Sequence, residues 1–253
     1  TEDYQEAVRW YRAYLEAFPN DPDAAQTNFL LAELLYEDGQ FDASRYPQAA
    51  AEYEKTAYRY PRHAKSADAG YAALLAYAQQ EKRASGAEQK RIQLASVDSA
   101  VQFARTFGDD PRVAPVLTNA AEKLYALGDG DRATSVAEQV LALKAPATDA
   151  QRRVAWTVIA HTAFDRGAFD RAEQAYGEVL ALAPANDPQR KDLSERAAAS
   201  VYKQGEQARA AGRLNEAVRH FERVAAVAPN STVRATADYD AAAALMTLKD
   251  WEG

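Results

Sequence analysis

One spacing constrains this chain more than any other feature. A small residue is followed four positions later by an aromatic, three after that by a small or β-branched residue, and five further on by proline. Ala172, Tyr176, Val179 and Pro184 show it, as do Ala217, Phe221, Val224 and Pro229. Ala49, Tyr53, Thr56 and Pro61 repeat it, and Ser99, Phe103, Thr106 and Pro111 do so with serine in the small slot. Ala7, Tyr11, Tyr14 and Pro19 carry tyrosine in the third slot, and Ala133, Ala137 and Val140 form a degenerate copy with Pro146 one residue late. Successive anchors lie 42, 50, 34, 39 and 45 residues apart. Offsets of four and three place these side chains on one helical face. The small residue admits a neighbouring helix, the aromatic fills the space beside it, and proline ends the helix.

Ahead of each anchored helix lies another amphipathic stretch closed by turn residues: Gly39-Gln40-Phe41, Gly128-Asp129-Gly130, Gly167-Ala168-Phe169 and Gly212-Arg213-Leu214. Asp21-Pro22 and Asp187-Pro188 read as an N-cap followed by proline at the first helical position. Each unit is then a helical hairpin, unable to bury its apolar face alone, and stacking makes a continuous core. The expected fold is all-α, a single array over residues 1–253 of about six hairpins, with second helices near 5–18, 47–60, 97–108, 131–144, 170–183 and 215–228. The chain opens at the turn before a second helix and closes, at 249-KDWEG-253, on the same turn. Both ends therefore read as cuts through the middle of a repeat, in a piece of a longer protein.

These residues resemble tetratricopeptide repeats. Trp156, Ile159, Ala160 and Ala163 match the first-helix face of that family, Ala172, Tyr176 and Pro184 its second-helix signature, and Gly205 its helix-packing glycine. The resemblance implies a right-handed superhelix. The family period is about 34 residues, and the excess falls in three places. Residues 42–46 lengthen a turn, 81-EKRASGAEQKRIQLAS-96 extends a helix or forms a charged linker, and 185–195 lengthen a first helix. Long first helices, and the phrase 11-YRAYLEAFPNDPDAA-25, are similar in style to repeat proteins of bacterial cell envelopes.

Composition excludes several kinds of chemistry. There is no cysteine, hence no disulfide, thiolate metal site or cysteine nucleophile. The net charge of −7 argues against nucleic acid as a partner. It is uneven: residues 1–54 hold three arginines and twelve acids, or −9, leaving +2 for the rest. That acidic end is a solvated face or a surface that steers a basic partner. No stretch approaches the ~18 apolar residues of a membrane span. His63, His161 and His220 fall in different repeats with no metal-ligand spacing, and no phosphate-binding loop or nucleophile elbow occurs. Asp109-Asp110 sits in a turn, where capping accounts for it. The expectation is a non-enzyme with no cofactor and no metal.

In the resembled family, ligands lie on a concave face lined by first helices. On this sequence one such row reads Phe29, Tyr71, Thr118, Thr157, Tyr202 and Tyr239, and a second reads Tyr36, Ala78, Tyr125, Phe164, Arg209 and Met246. Glu33, Glu122, His161 and Glu206 lie between them. The expected partner-binding groove is thus aromatic and mildly acidic, with Phe29, Glu33, Tyr36, Tyr71, Tyr125, His161, Phe164, Tyr202, Glu206 and Tyr239 as its site residues. The other reading makes these aromatics packing residues, since a shift of one position turns a side chain by about 100°. The groove lacks the lysines and asparagines with which some relatives clamp chaperone tails. Trp10, Trp156 and Trp251 are expected at helix interfaces. The expected role is a protein-interaction scaffold binding a peptide or partner protein in a periplasmic, envelope-associated assembly. Alternatives are a cytoplasmic scaffold or regulator, and an interaction module of a larger enzyme. Open hairpin faces at the ends invite self-association.

Overall fold

A computed structural model describes residues 2–248, and Trp251 lies outside them. Among the described residues there are twelve helices and no strand. They are α1 (Glu2–Ala17), α2 (Ala24–Asp38), α3 (Arg45–Tyr58), α4 (Ser66–Glu81), α5 (Gly86–Thr106), α6 (Val113–Ala126), α7 (Gly130–Leu141), α8 (Asp149–Asp165), α9 (Phe169–Leu182), α10 (Arg190–Ala210), α11 (Leu214–Val227) and α12 (Arg234–Leu248). The chain divides into two compact units, residues 1–127 and 128–253.

Within each unit consecutive helices pack as antiparallel neighbours, and side chains join alternate helices into two layers. In the first unit, Arg12 of α1 donates to Gln48 of α3 at 2.9 Å, while Asp68 of α4 pairs with Arg112, just ahead of α6, at 3.1 Å. In the second, Glu138 of α7 pairs with Arg171 of α9, and Glu173 of α9 with Arg223 of α11. In the other layer Arg209 of α10 pairs with Asp240 of α12 at 3.1 Å. Even-numbered helices thus form one layer of each unit, the first-helix layer, and odd-numbered helices the other.

The repeat spacing marks what is buried. Ala49, Tyr53 and Thr56, then Ala172, Tyr176 and Val179, then Ala217, Phe221 and Val224 are all enclosed. Ala133, Ala137 and Val140 of the degenerate copy are enclosed too, with no aromatic. In the third copy Ser99 and Phe103 are buried but Thr106 is exposed. Phe107, at the helix end, takes its place, its ring 5.4 Å from Phe103 and 6.0 Å from Tyr58. On α1 the buried residues are Val8 and Leu15, while Ala7, Tyr11 and Tyr14 are half-buried. Trp10 is 70% exposed, against expectation. It lies two residues past Val8, about 200° round the helix from the packed side.

The turns follow from local chemistry. Gly167 and Gly212 adopt φ of +75°, and the next N–H of each, at Ala168 and Arg213, bonds back to Ala163 and Ala208 at 2.9 Å. This is a Schellman closure that glycine adopts without steric cost. Gly205 is required for a different reason. A Cβ there would sit 2.5 Å from the Phe221 ring.

The Asp-Pro pairs work one step earlier than a cap. Asp21 and Asp187 accept the N–H two residues on, at Asp23 and Gln189, each at 2.8 Å. The helices begin after that, at Ala24 and Arg190. The side chain closes an Asx turn in which proline is the second residue. Asp110, Ser231 and His63 do the same ahead of α6, α12 and α4. Thr148, by contrast, forms a full capping box with Gln151 at the start of α8. The charged stretch 81–96 resolves as a short connection followed by a helix, α5, of 21 residues. Residues 185–189 stay in a turn, and α10 too is 21 residues long.

Candidate partner-binding surface

The first-helix layer of the two units carries every residue of the expected groove, and second-helix aromatics hold several of them. In the first unit Tyr53, buried on α3, is the hub. Phe29 and Tyr36 of α2 lie 6.0 and 6.4 Å from it, and Tyr36 meets Tyr46 edge-on at 5.4 Å. The Tyr53 hydroxyl donates to the Glu33 carboxylate. Burial, and then that carboxylate, push the Tyr53 phenol well above its ordinary value. Phe29, Glu33 and Tyr36 are thereby brought together. Tyr71 of α4 stands 6.4 Å from buried Phe103, and Tyr125 is half-buried on α6.

Two of these rings have a second neighbour that helical periodicity does not reveal. Lys65 sits over Phe29 at 5.7 Å, and the Arg112 guanidinium over Tyr71 at 5.0 Å. Both cations come from the residue just ahead of the next first helix. Asp110 and Asp68 hold Arg112 in place, and the guanidinium keeps the Asp110 carboxyl below its usual range. Phe29 and Tyr71 therefore lock one repeat to the next, while each stays half-buried.

In the second unit His161 of α8 lies 5.8 Å from Tyr176, and Phe164 lies 5.2 Å from Phe169. Burial, and then the Arg196 charge, hold the His161 imidazole below its ordinary pKa, while Asp165 acts the other way. Tyr202 of α10 packs 5.4 Å from Phe221 and donates to Asp240 at 2.7 Å. Burial first, then Asp240, push its phenol up to about 12. Glu206 pairs with Lys203 at 2.6 Å. Tyr239 and Met246 on α12 are 74% and 61% exposed. Trp156 is half-buried, its indole Nε1 enclosed without a hydrogen-bond partner.

The first unit also contains a feature the periodicity did not mark. Between α4 and α6, floored by α5, is a slot of about 210 Å³. Leu74, Leu75, Val97, Ala100, Val116 and Ala120 line it. Ion pairs bracket it: Asp68 with Arg112 at the start of the two helices, and Glu81 with Lys123 near their ends. Tyr71 and Ala78 are on its wall. Among the described residues no group of three or more His, Asp or Glu side chains could hold a metal, and no helix is long and apolar enough to cross a membrane.

No protein-family model matches the sequence, and no curated protein matches it. Three solved structures are similar at low identity. YrrB, a TPR protein with an unusual peptide-binding site, is 15% identical with a TM-score of 0.43, over 90% of this chain and 98% of that one. A thermophilic TPR protein of Thermus thermophilus is 23% identical with a TM-score of 0.37, over 78% and 90%. A tetratricopeptide repeat protein from Parabacteroides merdae is 12% identical with a TM-score of 0.40, over 96% and 100%.

Proposed function

We propose that this array of tetratricopeptide-type hairpins is a non-catalytic scaffold whose first-helix layer binds a peptide or a segment of a partner protein. The observation that carries the reading is the set of half-buried aromatics on that layer in each unit, of which Phe29, Tyr71 and Tyr202 are each backed by a buried second-helix ring. A ring fixed from behind loses little entropy when its open side is covered, and a tyrosine adds a polar tip. Among the described residues the displaced pKa values belong to capping carboxylates, ion-paired groups, buried or carboxylate-bonded phenols and two half-buried imidazoles, which structural roles account for. The setting we propose is the bacterial envelope, as part of a membrane-associated assembly. The 21-residue first helix α10 supports it in repeat style.

A selection of random displayed peptides on the immobilised chain tests the binding reading. A shared consensus is expected, and its binding should drop in Tyr36→Ala or in Tyr202→Ala, according to the unit it occupies, with the wild-type melting profile kept. No consensus, or a consensus indifferent to both variants, would overturn it. Fractionation of the full-length protein in its own cells tests the setting, which fails if the protein stays with the cytosol.

A further inference from the structure

The slot between α4 and α6 leaves apolar side chains of three helices facing one open space, and its chemistry names a guest. We propose that it receives one leucine- or phenylalanine-sized side chain of a bound peptide, next to which that peptide carries a lysine or arginine. The inference rests on the peptide-binding reading above and specifies the class of peptide.

Size is the first argument. An apolar cavity of about 150 Å³ holds benzene, and the slot is about 210 Å³. Chemistry is the second. Leu74, Leu75, Val97, Ala100, Val116 and Ala120 offer no hydrogen bond and make up most of the lining, with the polar groups of Tyr71, Ser96, Asn119 and Lys123 among them, so an apolar group suits the slot best. The charged groups at its ends pair with one another. Asp68 pairs with Arg112, and Glu81 with Lys123, which also donates to Ser96. These two pairs also brace α4 and α6 against closing on the space between them. Leu75 is 43% exposed, so apolar surface stays in water until a guest covers it.

Charge supplies the second half of the motif. Residues 1–127 hold 14 Lys and Arg against 19 Asp and Glu, or −5. On α6, Glu122 is exposed one turn beyond Asn119, which lines the slot, and it has no ion-pair partner among the described residues. A cation beside the buried side chain would meet that carboxylate.

The test is an NMR titration of the isotopically labelled chain with acetyl-Gly-Lys-Phe-Arg-Gly-amide and with its Phe→Ser counterpart. Amide shifts are expected along 74–78, 96–100 and 116–123. The phenylalanine peptide should bind about tenfold more tightly, from burial of one ring. Ala78→Leu fills the slot and should abolish that preference, and Leu75→Ala, at the rim, should reduce it without touching the core. Glu122→Gln should weaken both peptides a few-fold and keep the preference. Equal affinities, a preference that survives Ala78→Leu, or no slot shifts at millimolar peptide would overturn the proposal. Shifts confined to Phe29 and Tyr36 would sink the slot and leave the peptide-binding reading standing. Loss of both would require in addition that the random-peptide selection return no consensus.

Discussion

Two joints between consecutive first helices are closed in different ways. Between α10 and α12 the contact is made at the middle of α12 and again just ahead of its start. Tyr202 and Arg209 both reach Asp240, and Glu195 accepts from the Ser231 and Thr232 hydroxyls at 2.7 and 3.1 Å. Between α4 and α6 the ties are at the two ends, and the middle holds alanines and leucines around a void. The same hairpin code underlies both. The second-helix signature sets the hairpin, while what lies between neighbouring first helices is free to vary, so specificity can differ from joint to joint on one scaffold.

The contrast breaks most sharply under added bulk. Gly205→Leu drives carbon into the Phe221 ring, and an overpacked core of this kind should lose about 3 kcal/mol. Ala78→Leu enters the slot and should change stability by less than about 1 kcal/mol in either direction. Urea unfolding of the two variants measures both, and equal losses would mean that the slot is no looser than the closed joint.

Removing polar ties comes next. Asp240→Ala strands the Tyr202 hydroxyl and Arg209, and should cost about 2 kcal/mol as a lost charge-assisted pair. It should also let the Tyr202 phenol, held up at about 12, titrate nearer its ordinary value, visible as tyrosinate absorbance. An unchanged titration would mean that Asp240 is not its partner in solution. At the open joint, Glu81 and Lys123 are 15% and 20% exposed. A double-mutant cycle with Glu81→Leu and Lys123→Leu should give a coupling of about 1 kcal/mol. A coupling near zero would remove the brace from the slot's far end.

How much of this could be read beforehand depends on where each contact partner lies in the chain. Tyr53, Phe103, Tyr176 and Phe221 were legible because their burial is a local matter of helical offset. Thr106 was misassigned because the chain leaves the helix there, and Phe107 turns under Tyr58 in its stead. The first-helix rows were legible as a layer, but not for what covers them. Lys65 over Phe29, Arg112 over Tyr71 and Asp240 beyond Tyr202 lie 36, 41 and 38 residues away in sequence. No single-helix period reports such pairs. The slot was invisible for the same reason, since α4, α5 and α6 each contribute a few small or apolar residues that look like ordinary core. Trp10 shows the converse, a large aromatic that sits off the packed side of its helix.

The smallest effect distinguishes the turns that lead into these joints. His63 and Ser231 hold the same position, ahead of α4 and α12. The His63 Nδ1 accepts the Lys65 N–H at 3.0 Å, and the Ser231 hydroxyl accepts the Val233 N–H at 3.2 Å. Only the imidazole loses its acceptor on protonation. Burial holds the folded-state pKa of His63 below 6.5. As pH falls through 6.5 the unfolded chain therefore takes up a proton that the folded chain resists. The stability from this turn is full above that pH and is lost progressively below it. His161 shifts in the same direction within the second unit, so the wild-type profile alone does not separate the two. Asparagine can accept the same backbone N–H without titrating. The melting temperature of His63→Asn should accordingly gain on that of the wild type between about pH 7.5 and pH 5. His161→Gln should show its own, separate gain. Parallel curves for His63→Asn and wild type would mean that Nδ1 does not close the turn ahead of α4.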